Sequence, residues 1–222
     1  MKKRMLVSIA VGILLAFDAM GNELVQGLSS DSWAERQNIL NQIVTVSKMA
    51  PDSERDSMAI AIVDLIKTRQ LPEGYQGALH MAIEALGHLR SQRAIPCLVE
   101  HLAFLPDAYL VEERLPTEMH YPAAVSLVKI GGHAVDAMKE VLVADGVGDV
   151  EKRLALWVVC EISGRKKTTE WLKGGKHPLL LSSGEALADL LPTVGKVLEP
   201  PGRRTEWVNI ANNNDVSIEN DP

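Results

Sequence analysis

One pattern occurs twice in this chain, about 40 residues apart, and each occurrence consists of two consecutive helical stripes. In the first copy, residues 77–102, Leu79, Ala82, Ile83, Leu86 and Leu89 recur at spacings of three and four. That spacing puts them on one side of a helix. A second stripe follows: Ala94, Ile95, Leu98, Val99 and Leu102. In the second copy, residues 122–142, Leu127 and Ile130 take the places of Leu86 and Leu89. After a deletion of one residue, Ala134-Val135 matches Ala94-Ile95, Met138 matches Leu98, Glu140 matches Glu100 and Leu142 matches Leu102. A lone two-helix hairpin of this kind cannot hide its apolar flanks from water, whereas stacked copies can. The expected fold is therefore all-α, a short α-solenoid of stacked antiparallel helix pairs over residues 22–198. No stretch of useful length alternates apolar and polar residues as a half-buried strand would.

The rest of the chain fits two further, less regular pairs. Asp31 or Ser32 is placed to cap a helix that runs to about Met49, after a polar stretch from Asn22 to Ser30. Ser53-Glu54-Arg55-Asp56 reads as a capping box for a helix carrying Met58, Ile62, Leu65 and Ile66 and ending before Pro72. Gly87 is suited to a close helix approach or a bend, Ser91 to a cap, and Pro96 and Pro122 to first helical turns. Gly131-Gly132 supplies an inter-helix turn. A fourth copy begins at Asp149, carries Leu154, Trp157, Val158 and Ile162, stops at Gly164, and is followed by a short helix over Thr168–Leu172. A last helix is expected from Ser183 to Leu198, kinked at Pro192, and residues 199–222 read as a disordered polar tail. Aromatic residues make up only 4% of the chain, so Ala, Leu, Ile and Val must fill the core, as closely approaching helices prefer.

Residues 1–21 have the three parts of a secretory signal. Lys2, Lys3 and Arg4 are the positive start, Met5 to Phe17 is an apolar run of 13 residues, and Ala19-Met20-Gly21 offers small residues for cleavage. The run is shorter than a spanning helix needs, roughly 18 residues. The chain is thus expected to be exported, to the periplasm, with no membrane span after cleavage and a membrane anchor if cleavage fails. Cleavage takes the formal charge from -6 to -8. Cys97 and Cys160 show no metal or redox spacing and read as buried free thiols, with a disulfide as the alternative that an oxidising compartment permits.

Ala85-Leu86-Gly87 closing one helix, with Ala94-Ile95-Pro96-Cys97-Leu98 opening the next, resembles the HEAT repeat, in the short bacterial HEAT-like form found in phycobilin lyases. The second copy departs from it, with Val128 at the position of Gly87 and Asp136 at that of Pro96. The tetratricopeptide repeat is the nearest rival, but its period is about 34 residues and its signature aromatics are missing here. The resemblance implies a scaffold with its second helices on the concave side. It also implies a rival function, a lyase-type enzyme subunit. An export signal argues against that rival, because phycobilin lyases work inside the cell.

The acidic balance speaks against nucleic acid, since Lys2-Lys3-Arg4 belongs to the leader and Arg165-Lys166-Lys167 is the one other dense basic cluster. His80, Glu84 and His88 share a helix face, but the outer two are about 12 Å apart at 1.5 Å per residue, too far for one metal ion. That face is expected to be solvated, and no metal or cofactor is expected. No nucleophile elbow, HExxH or phosphate loop occurs, so catalysis has little support. The long connection 105–121 is either a binding element or a cover over an apolar edge. Candidate partner-binding residues are Tyr109, Glu112, Arg114 and Tyr121 in this loop, with Arg93, Glu100, His101 and Lys139 on the second helices. The resulting expectation is a non-catalytic module that holds a protein or peptide. The alternatives are an enzyme subunit with a site near the loop, and an envelope protein that associates with itself through the ends of the stack.

Overall fold

The structure, a computed structural model, describes residues 21, 23–68, 71, 76–106, 118–174 and 186–187. These are all-α, with no strand element among the described residues. Among the described residues a helical segment at 23–27 is followed in order by α1 Trp33–Ser47, α2 Asp52–Lys67, α3 Gln76–Leu89, α4 Ile95–Glu100, α5 Pro122–Ile130, α6 Val135–Val143, α7 Asp149–Ser163 and α8 Arg165–Gly174. Short 3-10 turns, Gln92–Ala94 and Gly132–Ala134, lead into α4 and α6.

Contacts follow chain order in two rows. The odd helices pack α1 on α3, α3 on α5 and α5 on α7. On the other side, α2 touches the turn that opens α4, and α4 touches α6. The rows are tied together by α2 on α3, α4 on α5, α6 on α7 and α7 on α8. One continuous core runs from Leu24 to Cys160 and takes in Leu187. It is mostly aliphatic, as the scarcity of aromatics requires, with Trp157 its one aromatic member among the described residues and Met58, Met81, Met138, Cys97 and Cys160 its sulfur side chains. Each fully buried Leu or Ile in it is worth about 2 kcal/mol relative to exposure.

The closest seam lies between α3 and α5. Eight of the 14 residues of α3 are buried, because the helix is flanked by α1 and α5 and covered by α2, so its apolar surface is wider than a single stripe. The helices meet at Gly87, where a built Cβ would lie 2.8 Å from the Ser126 Cα. Ser126 is buried and donates its hydroxyl to the Ile83 carbonyl at 2.9 Å, which satisfies the one polar group that the seam encloses there. Ala82, Ala85, Ala123 and Ala124 are fully buried, small enough to permit this approach.

The turns between helices share a positive φ. Gly131 ends α5 at φ 82, Gly164 ends α7 at φ 83, and Arg90, the counterpart of Gly131 after α3, sits at φ 54. Gly131 and Gly164, at ψ -144 and 148, adopt a region that glycine alone enters readily, and Arg90 carries a positive φ with a side chain.

Ser32 caps α1 by accepting from the Glu35 amide at 3.3 Å. Ser91 accepts from the Arg93 amide at 3.1 Å and donates to Asp56 Oδ1 at 2.5 Å, joining α2 to the start of α4. Two local expectations fail. The Ser53 capping box is not made, since α2 begins at Asp52 behind Pro51 and has no side-chain cap. The stretch 22–30 is not simply polar: residues 23–27 are helical, and Leu24, Val25 and Leu28 enter the core, with Leu28 fully buried. Their spacing of one and three hides the pattern among Asn22, Glu23 and Gln26. This segment covers α1 and α2, with Gly21 against Met58 and Gly27 against Ile39. Cys97 and Cys160 are free and buried. The expected signal over residues 1–20, the helix 183–198 apart from 186–187, and the tail 199–222 lie outside the described residues.

Candidate functional site

The second-helix row carries three of the candidate residues on α4 and its leading turn, and one on α6. Arg93 and Glu100 are exposed. His101 is half-buried and sits at the C-cap of α4, with Nδ1 2.9 Å from the Cys97 carbonyl. If that nitrogen carries the proton it donates to this carbonyl, which fixes the ring against its own helix and turns Nε2 outward. Burial pushes the Cys97 thiol up to about 11, with Glu100 adding to the rise and Lys67 opposing it. Cys97 is therefore a protonated core residue at neutral pH and no nucleophile.

Lys139, on α6, lies 3.7 Å from Asp136 one turn earlier and 5.6 Å from the centre of the Trp171 ring of α8. This places its ammonium over an aromatic face, an attraction of about 0.5–1 kcal/mol at an exposed site. Trp171 was not among the residues expected from the sequence. The signal that could have found it is its place on the short helix after Gly164, next to the second helix of the preceding copy.

Tyr121 stands apart from this row. It is half-buried at the N-cap of α5 and packs on the core. Burial raises its phenol pKa, Arg153 of α7 opposes, and Glu118 and Glu151 add to the rise. Its charged neighbours thus include α7 rather than α4. Tyr109, Glu112 and Arg114 lie outside the described residues.

The face formed by His80, Glu84 and His88 is not solvated as expected; all three are half-buried. Lys129 reaches across from α5 and places Nζ 3.0 Å from His88 Nε2, and Glu84 Oε1 is 3.7 Å from the same nitrogen. His88 and Lys129 occupy the same position in consecutive copies, so the repeat register brings them together. The polar His88 ring beside it holds the Glu84 carboxyl below its ordinary range against desolvation, and the nearby Lys129 charge helps. Desolvation lowers the Lys129 ammonium, and Glu84 opposes. Desolvation also lowers His80.

A catalytic relay would need the carboxylate on the ring nitrogen opposite the one facing the reacting group. Here Glu84 and Lys129 share one nitrogen. The cluster is therefore an ionic tie across the α3–α5 seam, beside Gly87. Among the described residues no group of three His, Cys, Asp or Glu side chains is placed to hold a metal ion.

An open groove of about 260 Å³ lies along α1, lined by Leu24, Asn41, Gln42, Thr45 and Val46. It holds no titratable group. No helix among the described residues is long and apolar enough to cross a membrane. No protein-family model matches the chain, and neither a curated protein nor a solved structure is detectably similar to it.

Proposed function

We propose that this chain is an exported α-solenoid of HEAT-like helix pairs that binds a protein or peptide along its second-helix row, without catalysis. The observation that supports the reading is the order of contacts: odd helices pack on odd, α2 meets the turn that opens α4, and α4 meets α6. That arrangement is what stacked hairpins require. Turns of positive φ at Arg90, Gly131 and Gly164 recur between the paired helices, which supports equivalent units. The polar groups that sequence alone made candidates for chemistry serve structure: His88, Glu84 and Lys129 tie two helices, and His101 binds its own. The exposed polar groups on α4 and α6 are then available for recognition, with Arg93, Glu100 and Glu140 exposed on them.

The test is site-specific photocrosslinking in the cell envelope of the native host. A crosslinker replacing Glu100 is expected to capture one defined protein, and one replacing Val150, exposed at the start of α7 in the other row, is not. Equal capture at both positions, or none at either, overturns the proposal. Fractionation of the same cells locates the chain. Recovery in the cytoplasm with residues 1–21 retained removes the exported part of the reading.

A further inference from the structure

Two groups of opposite charge compete for one ring nitrogen beside the α3–α5 seam. Lys129 Nζ lies 3.0 Å from His88 Nε2, and Glu84 Oε1 lies 3.7 Å from the same atom. An ammonium offers donors only, and a carboxylate offers acceptors only. Without a proton, Nε2 accepts from Lys129 and has nothing to give Glu84. With a proton, Nε2 donates to Glu84 and its ring repels Lys129. The two contacts therefore belong to different protonation states of His88. The 3.0 Å contact is that of the neutral ring, which then carries its proton on Nδ1.

The two contacts also join different things. Lys129 stands on α5 and His88 on α3, so the first bond ties one helix pair to the next. Glu84 and His88 are four residues apart on α3, so the second stays within one helix. The other charges at the cluster are few. His80, one turn before Glu84 on α3, acts on Glu84, and Arg90, just after α3, acts on Lys129. From α5 the charge is Lys129 itself. Among the described residues no group of α1, α2, α4 or α7 acts on Glu84 or Lys129. Solvent reaches the ring, since the His88 and Glu84 side chains are 29% and 38% exposed.

We propose that His88 is a proton-operated latch on the α3–α5 joint: its neutral ring binds α5 through Lys129, and its protonated ring turns to Glu84 and lets Lys129 go. Histidine is the side chain whose charge ordinarily changes between pH 5 and 8, which makes mild acid the signal. The Ser126 hydroxyl on the Ile83 carbonyl and the buried Ala82, Ala85, Ala123 and Ala124 do not titrate. They keep the helices together in both states, so acid removes the tie at the rim of the seam and leaves the core closed. The latch stands or falls independently of what the second-helix row binds.

The experiment is nitrogen-15 NMR of the histidine rings in the whole chain across pH 5 to 8, with His88 assigned through its backbone connections. At pH 8 the His88 proton should be found on Nδ1, and in Lys129→Met it should move to Nε2, toward Glu84. A proton on Nε2 in the parent at pH 8 overturns the proposal, and that reading needs no variant to fold. A tautomer that Lys129→Met leaves unchanged overturns it too. The second measurement is a double-mutant cycle, by urea melts, for Lys129→Met and His88→Leu. The pair should favour the folded state about fivefold at pH 8 and not at all at pH 5. The cycle of Glu84→Gln and His88→Leu should run the other way, gaining about twofold at pH 5. A Lys129–His88 coupling equal at both pH values overturns the exchange of partners, as does a Glu84–His88 coupling that does not grow in acid.

Discussion

Gly87→Ala is the sharpest probe of the α3–α5 seam, because two effects of opposite sign compete there. In an open helix the change stabilises by about 1 kcal/mol through helix propensity. Here the new methyl would sit 2.5 Å from the Ser126 hydroxyl, 2.7 Å from its Cβ and 2.8 Å from its Cα. Ordinary carbon contacts are about 3.5–4.0 Å. The hydroxyl can rotate away, but only by giving up the Ile83 carbonyl and remaining buried without a partner, at a cost of about 1 kcal/mol. The Cα belongs to the backbone, so the two helices must part by about 1 Å, an overpacking cost of about 1–3 kcal/mol. The net expectation is a loss of about 2 kcal/mol. For a domain of this size that lowers Tm by about 4–8 °C, read by circular dichroism. In a Ser126→Gly background two of the three close atoms are gone, so the same change should cost less, a coupling that a double-mutant cycle isolates. A Gly87→Ala protein that melts at or above the parent temperature would refute the close approach itself.

Further predictions concern backbone, protons and thiols. Gly131→Ala meets no atom within 4 Å, so its cost is that of φ 82 with ψ -144, a region essentially reserved for glycine, about 2 kcal/mol, seen as a Tm lower by about 4–8 °C. Arg90→Gly relieves a positive φ of 54 and should raise Tm slightly, by about 1–2 °C after the added entropy of the unfolded chain is offset. Glu84 and His80 both have folded pKa values below their ordinary ones, so the folded state releases protons that the unfolded state binds. Stability is then fully present above about 6.5, falls first as His80 titrates, and falls again below about 4.5 as Glu84 titrates. Urea melts across this range should show that acid limb, and Glu84→Gln should flatten its lower part; an unchanged limb removes Glu84 from the account. Both cysteines should resist a thiol reagent at neutral pH and react fully in denaturant, since burial raises both thiols. Stoichiometric modification of the native protein would contradict this.

What the sequence reveals here is what neighbouring residues decide together. The stripes of α3, α4, α5 and α7, the Ser91 cap, Pro122 at a first turn and the Gly131 turn all depend on spacings of a few residues, and the helices form where those signals put them. The α2 start was misplaced because Pro51 ends the preceding turn two residues before Ser53, leaving no room for the box. The ionic tie was hidden for a different reason. His88 and Lys129 are 41 residues apart, and only the register between copies makes them neighbours. Reading equivalent positions of adjacent copies as facing pairs would have exposed it. Lys139 was legible as a polar second-helix position, but its meeting with Trp171 depends on how α8 folds back on α6 and α7, which no local pattern encodes.

The burial of Gly21 has a consequence in time. Its Cα faces Met58, and the helical turn beginning there carries Leu24, Val25 and Leu28 into the fold. A peptidase that cut after Gly21 would need this peptide bond extended and in the open, a condition met only before the first hairpin closes. If residues 1–21 are a cleaved leader, as proposed, its removal and collapse of the chain would be rivals for the same few residues, and a molecule that folded early would keep it for life.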